Sequence, residues 1–295
     1  MKILISDAFD KSLPDKLARF GEVFDDKSRL PEADVVLIRS KTKCTKEYID
    51  SAPNLKLIIR GGVGLDNVDL EYAREKGVTV HNTPAASSVA VAEVAMAFLV
   101  ALPNNLIPGH ITMSQGEWAK KQLKRTELFK KTLGLIGIGR IAQEVAIRAK
   151  AFGMNVIAFD KYVNESDVAE MVSMDELFAQ ADFISMHVPF TPETDKMINA
   201  ETIGKMKDGV TIVNTGRGKC VNEDDMAAAL KSGKVKAYGT DVWYSDPPDW
   251  DTCPLLKKDV PNVYMTPHIG ASSNENLGRI GEIVEELITN FSKEN

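Results

Sequence analysis

Short β-rich runs alternate with helical segments along almost the whole chain, and this alternation constrains the fold more than any other feature. Because the runs are mainly apolar, they are typical of parallel strands that are buried on both faces. Their alternation with amphipathic helices predicts parallel sheets with helices on both sides. The runs lie at 2–6, 35–40, 55–60 and 78–82, and then at 132–139, 155–160, 182–188, 210–216, 236–242 and 262–268.

The chain is too long for a single hydrophobic core, since 295 residues exceed what one core usually organises. The two blocks of strands therefore predict two α/β domains, each with a doubly wound parallel sheet. An apolar helix is predicted over 87–102, where it is interrupted by Glu93 and stopped by Pro103, so it is too short to span a bilayer and should be buried. A last helix is predicted over 274–291.

The overall charge and the cysteine content exclude several classes of protein. Thirty-six Lys and Arg against 42 Asp and Glu give a net charge of −6, which argues against a nucleic-acid-binding protein. Three cysteines without a CxxC pair indicate neither a disulfide framework nor a metal site. The opening MKILISD does not have the pattern of a signal peptide. We therefore expect a cytoplasmic protein that has no metal, membrane or nucleic-acid partner.

The motif GIGRIA (137–142) follows a strand pattern and opens a helical pattern, which is the setting of a dinucleotide-binding turn. Gly137 permits a tight turn, Gly139 lets the backbone approach a pyrophosphate, and Ala142 lets the helix pack near the strand. A tight turn without a ligand is the alternative for the motif alone. Asp160 ends the next strand, where a carboxylate accepts hydrogen bonds from an adenosine ribose and repels a 2′-phosphate. The sequence therefore predicts NAD in preference to NADP.

Polar residues that follow the strands are candidates for catalysis, because ligands of a doubly wound sheet lie beyond the carboxyl ends of its strands. His268 in TPHIGAS can present an imidazole for proton transfer. Arg217 in NTGRG can hold a carboxylate and polarise a carbonyl. Either Asp241 or Asp246 can pair with His268 and fix its tautomer. His187 also follows a strand, and it can equally be a hydrogen-bonded structural residue.

Seven motifs, taken in order, resemble the D-2-hydroxyacid dehydrogenase family over essentially the whole chain. They are RGGVGLDNVDL, NTP, GIGRIA, HVPFTPET, NTGRG, GTDVW and TPHIGAS. The resemblance implies two Rossmann-like domains, in which an NAD-binding domain over 85–269 is inserted into a flavodoxin-like substrate domain formed by 1–84 and 270–295. It also implies an NAD-dependent oxidoreductase that interconverts a D-2-hydroxyacid and its 2-oxo acid.

The resemblance also assigns roles to individual residues. The implied catalytic residues are Arg217, Asp246 and His268. The residues implied around the cofactor are Gly137, Gly139, Arg140, Ile141, Asp160, Val188, Thr215, Gly216, Arg217, Asp241, His268, Gly270 and Ala271; among these, Arg140 and Ile141 contact the pyrophosphate and Asp241 holds the nicotinamide amide. The residues implied around the substrate are Arg39, Arg60, Gly62, Val63, Gly64 and Lys120, and the backbone of 62–64 holds the substrate carboxylate.

Asp246 departs from the family pattern, which usually has glutamate at this point of the run DVWYSDP (241–247). Aspartate keeps the negative charge but is one methylene shorter. We nevertheless expect its carboxylate to pair with His268, either directly or through a water molecule.

Basic residues favour a phosphorylated substrate. The segments VLIRSKTKCT, RGGVGLDNVD and TELFKKTLG most resemble the family members that oxidise D-3-phosphoglycerate at the start of serine synthesis. By this resemblance Arg39 and Arg60 face the phosphate, and Lys120 is contributed by a neighbouring subunit; a solvated basic face is the alternative. Other possible functions are a hydroxypyruvate or glyoxylate reductase, a reductase of another 2-oxo acid, and an NAD-sensing corepressor.

The segment 85–131 predicts self-association. A long apolar helix followed by a basic helical arm, WAKKQLKR (118–125), is more than one small domain needs to cover itself. Since the family pairs two subunits in this region, the resemblance implies a homodimer. The chain ends soon after its last predicted helix, so we do not expect the C-terminal regulatory domain of longer relatives.

Overall fold

The computed structural model describes residues 1–294 and divides the chain into two compact units. The first unit joins Met1–Ala90 to the residues from Ala271 onward, and the second unit spans Val91–Gly270. These bounds differ slightly from the predicted ones. Residues 85–90 lie in the first unit because Ala86 packs into its core. Gly270 lies in the second unit, where its N–H is held by the Asp241 carboxylate.

Five parallel strands form the sheet of the first unit. They are β1 (Lys2–Ile5), β2 (Glu22–Phe24), β3 (Val35–Ile38), β4 (Leu57–Arg60) and β5 (Thr79–Asn82). Their spatial order is β2-β1-β3-β4-β5, which is the order of flavodoxin-like sheets. The strand order reverses between β1 and β3, and ligands of such sheets bind beyond the strand ends at this point.

Seven parallel strands form the sheet of the second unit. They are β6 (Thr132–Ile136), β7 (Asn155–Phe159), β8 (Glu170–Met171), β9 (Phe183–Met186), β10 (Val210–Asn214), β11 (Val235–Thr240) and β12 (Val263–Met265). Their order is β12-β11-β10-β9-β6-β7-β8, so the strand order reverses between β6 and β9. This is the order of dinucleotide-binding sheets with one further strand, and the predicted fold class is confirmed.

Helices connect the strands of both sheets. In chain order they are α1 (Leu13–Leu17), α2 (Lys46–Asp50), α3 (Leu70–Glu75), α4 (Ser88–Ala101), α5 (Leu106–Ser114), α6 (Arg140–Ala151), α7 (Met174–Gln180), α8 (Ala200–Gly204), α9 (Glu223–Ser232) and α10 (Asn274–Glu294). No single helix within 1–294 is long and apolar enough to cross a membrane, and α4 and α5 together reach that length only across a 67° bend.

The apolar runs become strands because both of their faces are covered. All four side chains of β3 are buried, and they alternate between two apolar clusters. Val35 and Leu37 pack in the cluster that contains Ile280 of α10, whereas Val36 and Ile38 pack in the opposite cluster. Each such side chain contributes about 1.5–3 kcal/mol when it is removed from water. The C-terminal helix therefore completes the first unit.

The predicted basic helix over 118–125 is wrong, because this segment forms turns and contains neither helix nor strand. Gly116 has a φ of 79°, which ends α5. Two hydrogen bonds then tether the segment to the α4–α5 connection, one from the Thr126 N–H to Pro103 O and one from the Asn105 side-chain amide to Lys124 O. Four basic side chains over 120–125 would also repel one another on a helix.

Candidate active site

The glycine-rich turn lies between β6 and α6, beside the point where the strand order of the second sheet reverses. Gly137 has a φ of 87°, and a Cβ there would lie 2.9 Å from His187 O and 3.1 Å from Val188 Cγ1. Gly139 caps α6 without a side chain, and a Cβ on it would meet no atom within 4 Å. The first turn of α6 therefore opens onto free space, as an anion-binding helix terminus requires.

The ends of the neighbouring strands β9 and β10 lie beside this glycine-rich turn. A Cβ on Gly216 would lie 3.2 Å from both Met186 O and Val188 O, so the segments after β9 and β10 approach closely. Thr215 is only 7% exposed, and its hydroxyl is buried without a hydrogen-bond partner among residues 1–294. Buried polar groups normally have partners, so this hydroxyl fits a site that a ligand completes. The residues present fit a dinucleotide along this edge.

Asp160 follows β7 and organises the turn from the other side. Its Oδ2 accepts the N–H of Ile138 at 3.0 Å, and its Oδ1 accepts the N–H groups of Tyr162 and Val163. The half-exposed carboxylate retains lone pairs for the hydroxyls of a ribose. Lys161 forms a salt bridge with Glu193 at 2.6 Å, so its charge is already balanced by that carboxylate.

His268 and Asp246 are brought together by the structure. His268 Nδ1 and Asp246 Oδ2 form a hydrogen bond, with side chains that are 37% and 45% exposed. His268 has a φ of 55°, which is uncommon for a residue with a side chain. Such backbone conformations persist only where the surroundings enforce them, and they cluster at functional sites. The shorter carboxylate thus reaches the imidazole directly.

The Asp241 carboxylate, which is 1% exposed, enforces this turn. Its Oδ1 accepts the Thr266 hydroxyl at 2.6 Å and the Ile269 N–H at 2.8 Å, and its Oδ2 accepts the Gly270 N–H at 2.7 Å. A Cβ at Gly270 would lie 2.9 Å from the same Oδ2. Both oxygens are therefore engaged by residues on either side of His268, while the implied contact of Asp241 with the nicotinamide amide stays a prediction.

Arg217 lies at the same edge of the sheet as His268, because both follow the carboxyl ends of strands. It comes after β10 and His268 after β12, and β11 lies between these strands. Asn214 holds the arginine's turn, since its side chain accepts the Gly216 N–H and donates to Arg217 O at 3.0 Å each. The half-buried guanidinium donates through Nη1 to Gly216 O at 2.9 Å.

Arg39 lies at the strand-order reversal of the first sheet, directly after β3. The Asp7 carboxylate, 3% exposed, accepts the N–H groups of Arg39 and Thr42. The Arg39 guanidinium donates to Ala271 O at 3.3 Å, and this carbonyl also accepts from Asn276 at 2.7 Å. Burial lowers the pKa of Arg39 from its usual range, while the Asp7 charge raises it.

Arg60 and the loop that follows it are the other predicted substrate residues of the first unit. Arg60 ends β4, and its guanidinium lies so close to Gly62 that a Cβ there would overlap Arg60 Nη1. The Gly62 N–H donates to the Thr83 hydroxyl at 2.8 Å. Val63 is 38% exposed, and Gly64 is partly exposed.

The other three histidines differ from His268 in their burial and in their contacts. Burial lowers the pKa of His187 to about 4, so its ring is neutral near pH 7, and its Nε2 is paired with the Ser185 hydroxyl at 2.9 Å. His81 lies in β5 and His110 in α5, and both are exposed. His187 is therefore a buried, uncharged ring that is hydrogen-bonded through its Nε2 atom.

Sequence reasoning missed the side chains that hold the site in place. They are Asp7, Asn214, Glu223, Thr266 and Asn276, each of which bonds a segment that carries a predicted site residue. Asp7, Asn214 and Thr266 could have been found, because each polar residue closes or follows a predicted strand run. Glu223 and Asn276 lie in helices with no comparable signal.

Sheet order, the open glycine turn and the unpartnered Thr215 hydroxyl together define the class of protein as a dinucleotide-binding α/β protein. The family model described as "D-isomer specific 2-hydroxyacid dehydrogenase, NAD binding domain" matches residues 96–270. The chain belongs to the D-isomer specific 2-hydroxyacid dehydrogenases, and its cofactor is NAD. The predicted family and cofactor are confirmed.

Relatives within the family carry different names. A hydroxypyruvate reductase of Thermotoga maritima is 49% identical, over 88% of this chain and 85% of that protein. A D-3-phosphoglycerate dehydrogenase of Methanocaldococcus jannaschii is 42% identical over 98% of this chain, but this chain spans only 57% of its length. A D-lactate dehydrogenase structure from Aquifex aeolicus, complexed with NAD and lactic acid, superposes with a TM-score of 0.89 at 32% identity, covering 99% of this chain and 96% of that one.

Proposed function

We propose that His268 gives and takes the substrate proton in this NAD-dependent D-2-hydroxyacid dehydrogenase, and that Arg217 holds the substrate. The observation that carries the proposal is the Asp246–His268 pair at the sheet edge that also presents Arg217. Because Asp246 engages Nδ1, Nε2 is the ring nitrogen that faces a substrate oxygen.

Each side chain then has a defined task. In the reducing direction, His268 Nε2–H donates its proton to the C2 oxygen as that oxygen becomes a hydroxyl. The Asp246 carboxylate stabilises the positive imidazolium and keeps the ring oriented. Arg217 donates hydrogen bonds to the substrate carboxylate and to the oxygen on which charge develops. The bound cofactor would supply the hydride as NADH in this direction and accept it as NAD⁺ in the reverse direction.

Replacement of His268 by alanine tests this assignment. We expect kcat to fall by a factor on the order of 10²–10⁴, the usual contribution of general acid–base catalysis. The affinity for NADH, measured by fluorescence titration, should be nearly unchanged. A variant that loses both properties equally would show that the histidine is structural.

For the substrate, we propose D-3-phosphoglycerate and 3-phosphohydroxypyruvate, in serine synthesis in the cytoplasm. Arg39 and Arg60 follow the adjacent strands β3 and β4, beside the Gly62–Gly64 loop. Two guanidiniums and a loop backbone supply donors for two anionic groups, a carboxylate and a phosphate. The preset Arg39 conformation, held by Asp7 and Ala271 O, also reduces the entropy lost on binding.

Hydroxypyruvate is the second candidate, because the 49% identical relative that shares most of its length with this chain bears the name hydroxypyruvate reductase. The two substrates share a three-carbon skeleton and differ in the phosphate. NADH oxidation with 3-phosphohydroxypyruvate, hydroxypyruvate, glyoxylate, 2-oxoglutarate and pyruvate separates them. The phosphate proposal fails if phosphohydroxypyruvate is reduced no better than hydroxypyruvate or glyoxylate, and no reduction of any acid would favour an NAD-sensing protein.

Arginine variants refine the same assay. Arg39→Ala should lower kcat/KM for the phosphorylated substrate by about tenfold to a hundredfold, the value of one charge-assisted hydrogen bond, and should affect hydroxypyruvate less. Arg74→Ala is the matched control, because Arg74 is exposed on α3. Equal losses for both substrates would assign Arg39 to the skeleton they share.

We also propose that the chain forms a homodimer through α5 and the turn segment after it. Large apolar side chains are exposed there, which in a protein of ordinary composition marks an interaction surface. They are Leu106, Ile107, Ile111, Met113 and Trp118, and Lys120 lies beside them. Trp118→Asp should convert the dimer to a monomer in sedimentation velocity, whereas Trp250→Asp, at a residue that is 72% exposed elsewhere, should not.

A further inference from the structure

We propose that Glu223 is a positioning residue, whose carboxylate holds both ends of the loop that presents Asp246 to His268. The loop comprises residues 244–253 and is called the 244–253 loop below. The inference rests on the proposed function, in which the Asp246–His268 pair carries the proton.

The 244–253 loop has no regular structure of its own that could fix Asp246. It follows β11 and the buried Trp243, contains only turns and bends, and ends at a short 3₁₀ helix, Pro254–Leu256. The residues from Tyr244 to Pro247 are all exposed. An exposed side chain on such a segment loses conformational entropy whenever it is ordered, so contacts elsewhere must hold the loop.

Asp246 needs that support more than a glutamate would. Its side chain is shorter by one carbon–carbon bond of about 1.5 Å, and yet the carboxylate contacts His268 Nδ1 directly. The loop backbone must therefore approach the histidine more closely, and it has less freedom to move before the hydrogen bond is lost.

One carboxylate contacts both ends of the loop. Glu223 is the first residue of α9, and its Oε1 accepts the N–H of Tyr244 at 3.1 Å. Its Oε2 accepts from the thiol of Cys253 at 3.6 Å. The glutamate itself is well anchored, because Asn222 caps α9, and Met226 and the residues that follow pack into the core of the second unit.

The Cys253 thiol is suited to this contact. The residue is 5% exposed, and burial together with the Glu223 charge raises the pKa of the thiol. The sulfur therefore keeps its proton near neutral pH and remains a donor to the carboxylate. A thiolate would instead repel Glu223 and release the end of the loop.

A second contact ties the start of the loop to the histidine turn. Trp243, at 7% exposure, donates its indole N–H to Thr266 O at 3.3 Å. Thr266 in turn donates to Asp241, the carboxylate that holds the turn containing His268. With Glu223 fixing the loop and Trp243 joining it to the turn, Asp246 and His268 have a defined separation.

The simpler explanation is that Glu223 only stabilises the N-terminus of α9 by its charge. Asp224 and Asp225 carry the same charge in the same helical turn. Asp225 accepts the N–H of Ala200, and Asp224 is exposed. Asp224→Ala therefore removes one charge from the helix terminus without touching the 244–253 loop, and it is the matched control for Glu223→Ala.

Steady-state kinetics with NADH and the best 2-oxo acid of the panel test the role. Glu223→Ala should lower kcat by about tenfold, a part of what acid–base catalysis supplies, while KM for NADH stays unchanged. Glu223→Gln, whose amide oxygen still accepts the Tyr244 N–H, should recover part of the loss. Asp224→Ala should retain the wild-type kcat. Equal losses in the two alanine variants, or a Glu223→Ala variant that is less stable but fully active, would overturn the proposal.

A readout that needs no substrate separates this proposal from the proposed function. The chain has four histidines, so the ¹⁵N signal of the His268 imidazole can be assigned with single His variants. Glu223→Ala should change that signal in the same direction as Asp246→Asn, and Asp224→Ala should not. If the wild type reduced no 2-oxo acid, the proposed function would fail and this comparison would still decide the role of Glu223; an unchanged signal in Glu223→Ala would refute it.

Discussion

Replacing Asp241 by asparagine should loosen the turn that carries His268. The carboxylate accepts three hydrogen bonds, from Thr266 Oγ1 and from the N–H groups of Ile269 and Gly270. An asparagine oxygen can keep the first two, but its NH₂ group would then face the Gly270 N–H, and two donors cannot bond. Because residue 241 is 1% exposed, water cannot replace the lost acceptor.

The expected cost follows from these contacts. Loss of one hydrogen bond to a charged group, with a buried donor left unpaired, costs about 2–3 kcal/mol. For a domain of this size, that corresponds to a fall in Tm of roughly 5–10 °C. Since the released turn presents the imidazole, kcat should fall as well, by an amount that the stability change does not predict.

Urea unfolding followed by circular dichroism measures the first effect, and NADH oxidation measures the second. Thr266→Val is a graded control, because it removes only the side-chain donor and leaves both backbone hydrogen bonds to Asp241 intact. It should cost about 1.5 kcal/mol, the lower end of the range for a hydrogen bond to a charged group, because Asp241 Oδ1 keeps the Ile269 N–H. An Asp241→Asn variant with wild-type unfolding free energy and wild-type kcat would refute this account of the turn.

Three further outcomes are expected. The pKa of His187 is about 4 in the folded chain, against 6.5 for an unperturbed histidine. Between these two pH values the folded state therefore binds fewer protons than the unfolded state. The free energy of unfolding should fall by up to about 1.4 kcal/mol per pH unit as the pH drops from 6.5 to 4. Urea titrations at several pH values should show that the free energy of unfolding falls less steeply with decreasing pH in His187→Asn. The same pH dependence in the variant and the wild type would contradict the assignment. Asp160→Ala should raise the Kd of NADH by about tenfold or more, through loss of a charged acceptor, and an unchanged ratio of NADPH to NADH activity would argue against ribose binding. Gly218→Ala would place a Cβ 2.0 Å from the backbone of Trp243; it should cost about 2–3 kcal/mol of unfolding free energy, and a variant of unchanged Tm would show that the two loops separate freely.

Much of the fold could be predicted because the central strands are buried on both faces. Runs such as VVLI in β3 and TLGLI in β6 have no polar face, so their sequence identifies them without tertiary information. The glycine turn could be predicted for a similar reason, since only glycine tolerates the conformation and close contacts of Gly137.

Other features depend on contacts that local sequence does not encode. The edge strands β2 and β8 have three and two residues, and neither contains a long apolar run. The segment 118–125 has the composition of a helix, but Lys124 and the adjacent Thr126 are hydrogen-bonded to residues about twenty positions earlier. Glu223 precedes Tyr244 by 21 residues. The sequence around Asp246 therefore does not indicate which side chain contacts its loop.

The insertion of the second unit into the first has a consequence for synthesis on the ribosome. The first sheet is complete in sequence at Asn82, but one of its faces is covered by Ile280, Val284 and Ile288 of α10. All of Val91–Gly270 must be translated before that cover emerges. Nascent chains should therefore acquire a protease-resistant second unit first, while one face of the N-terminal sheet stays uncovered until α10 has been translated.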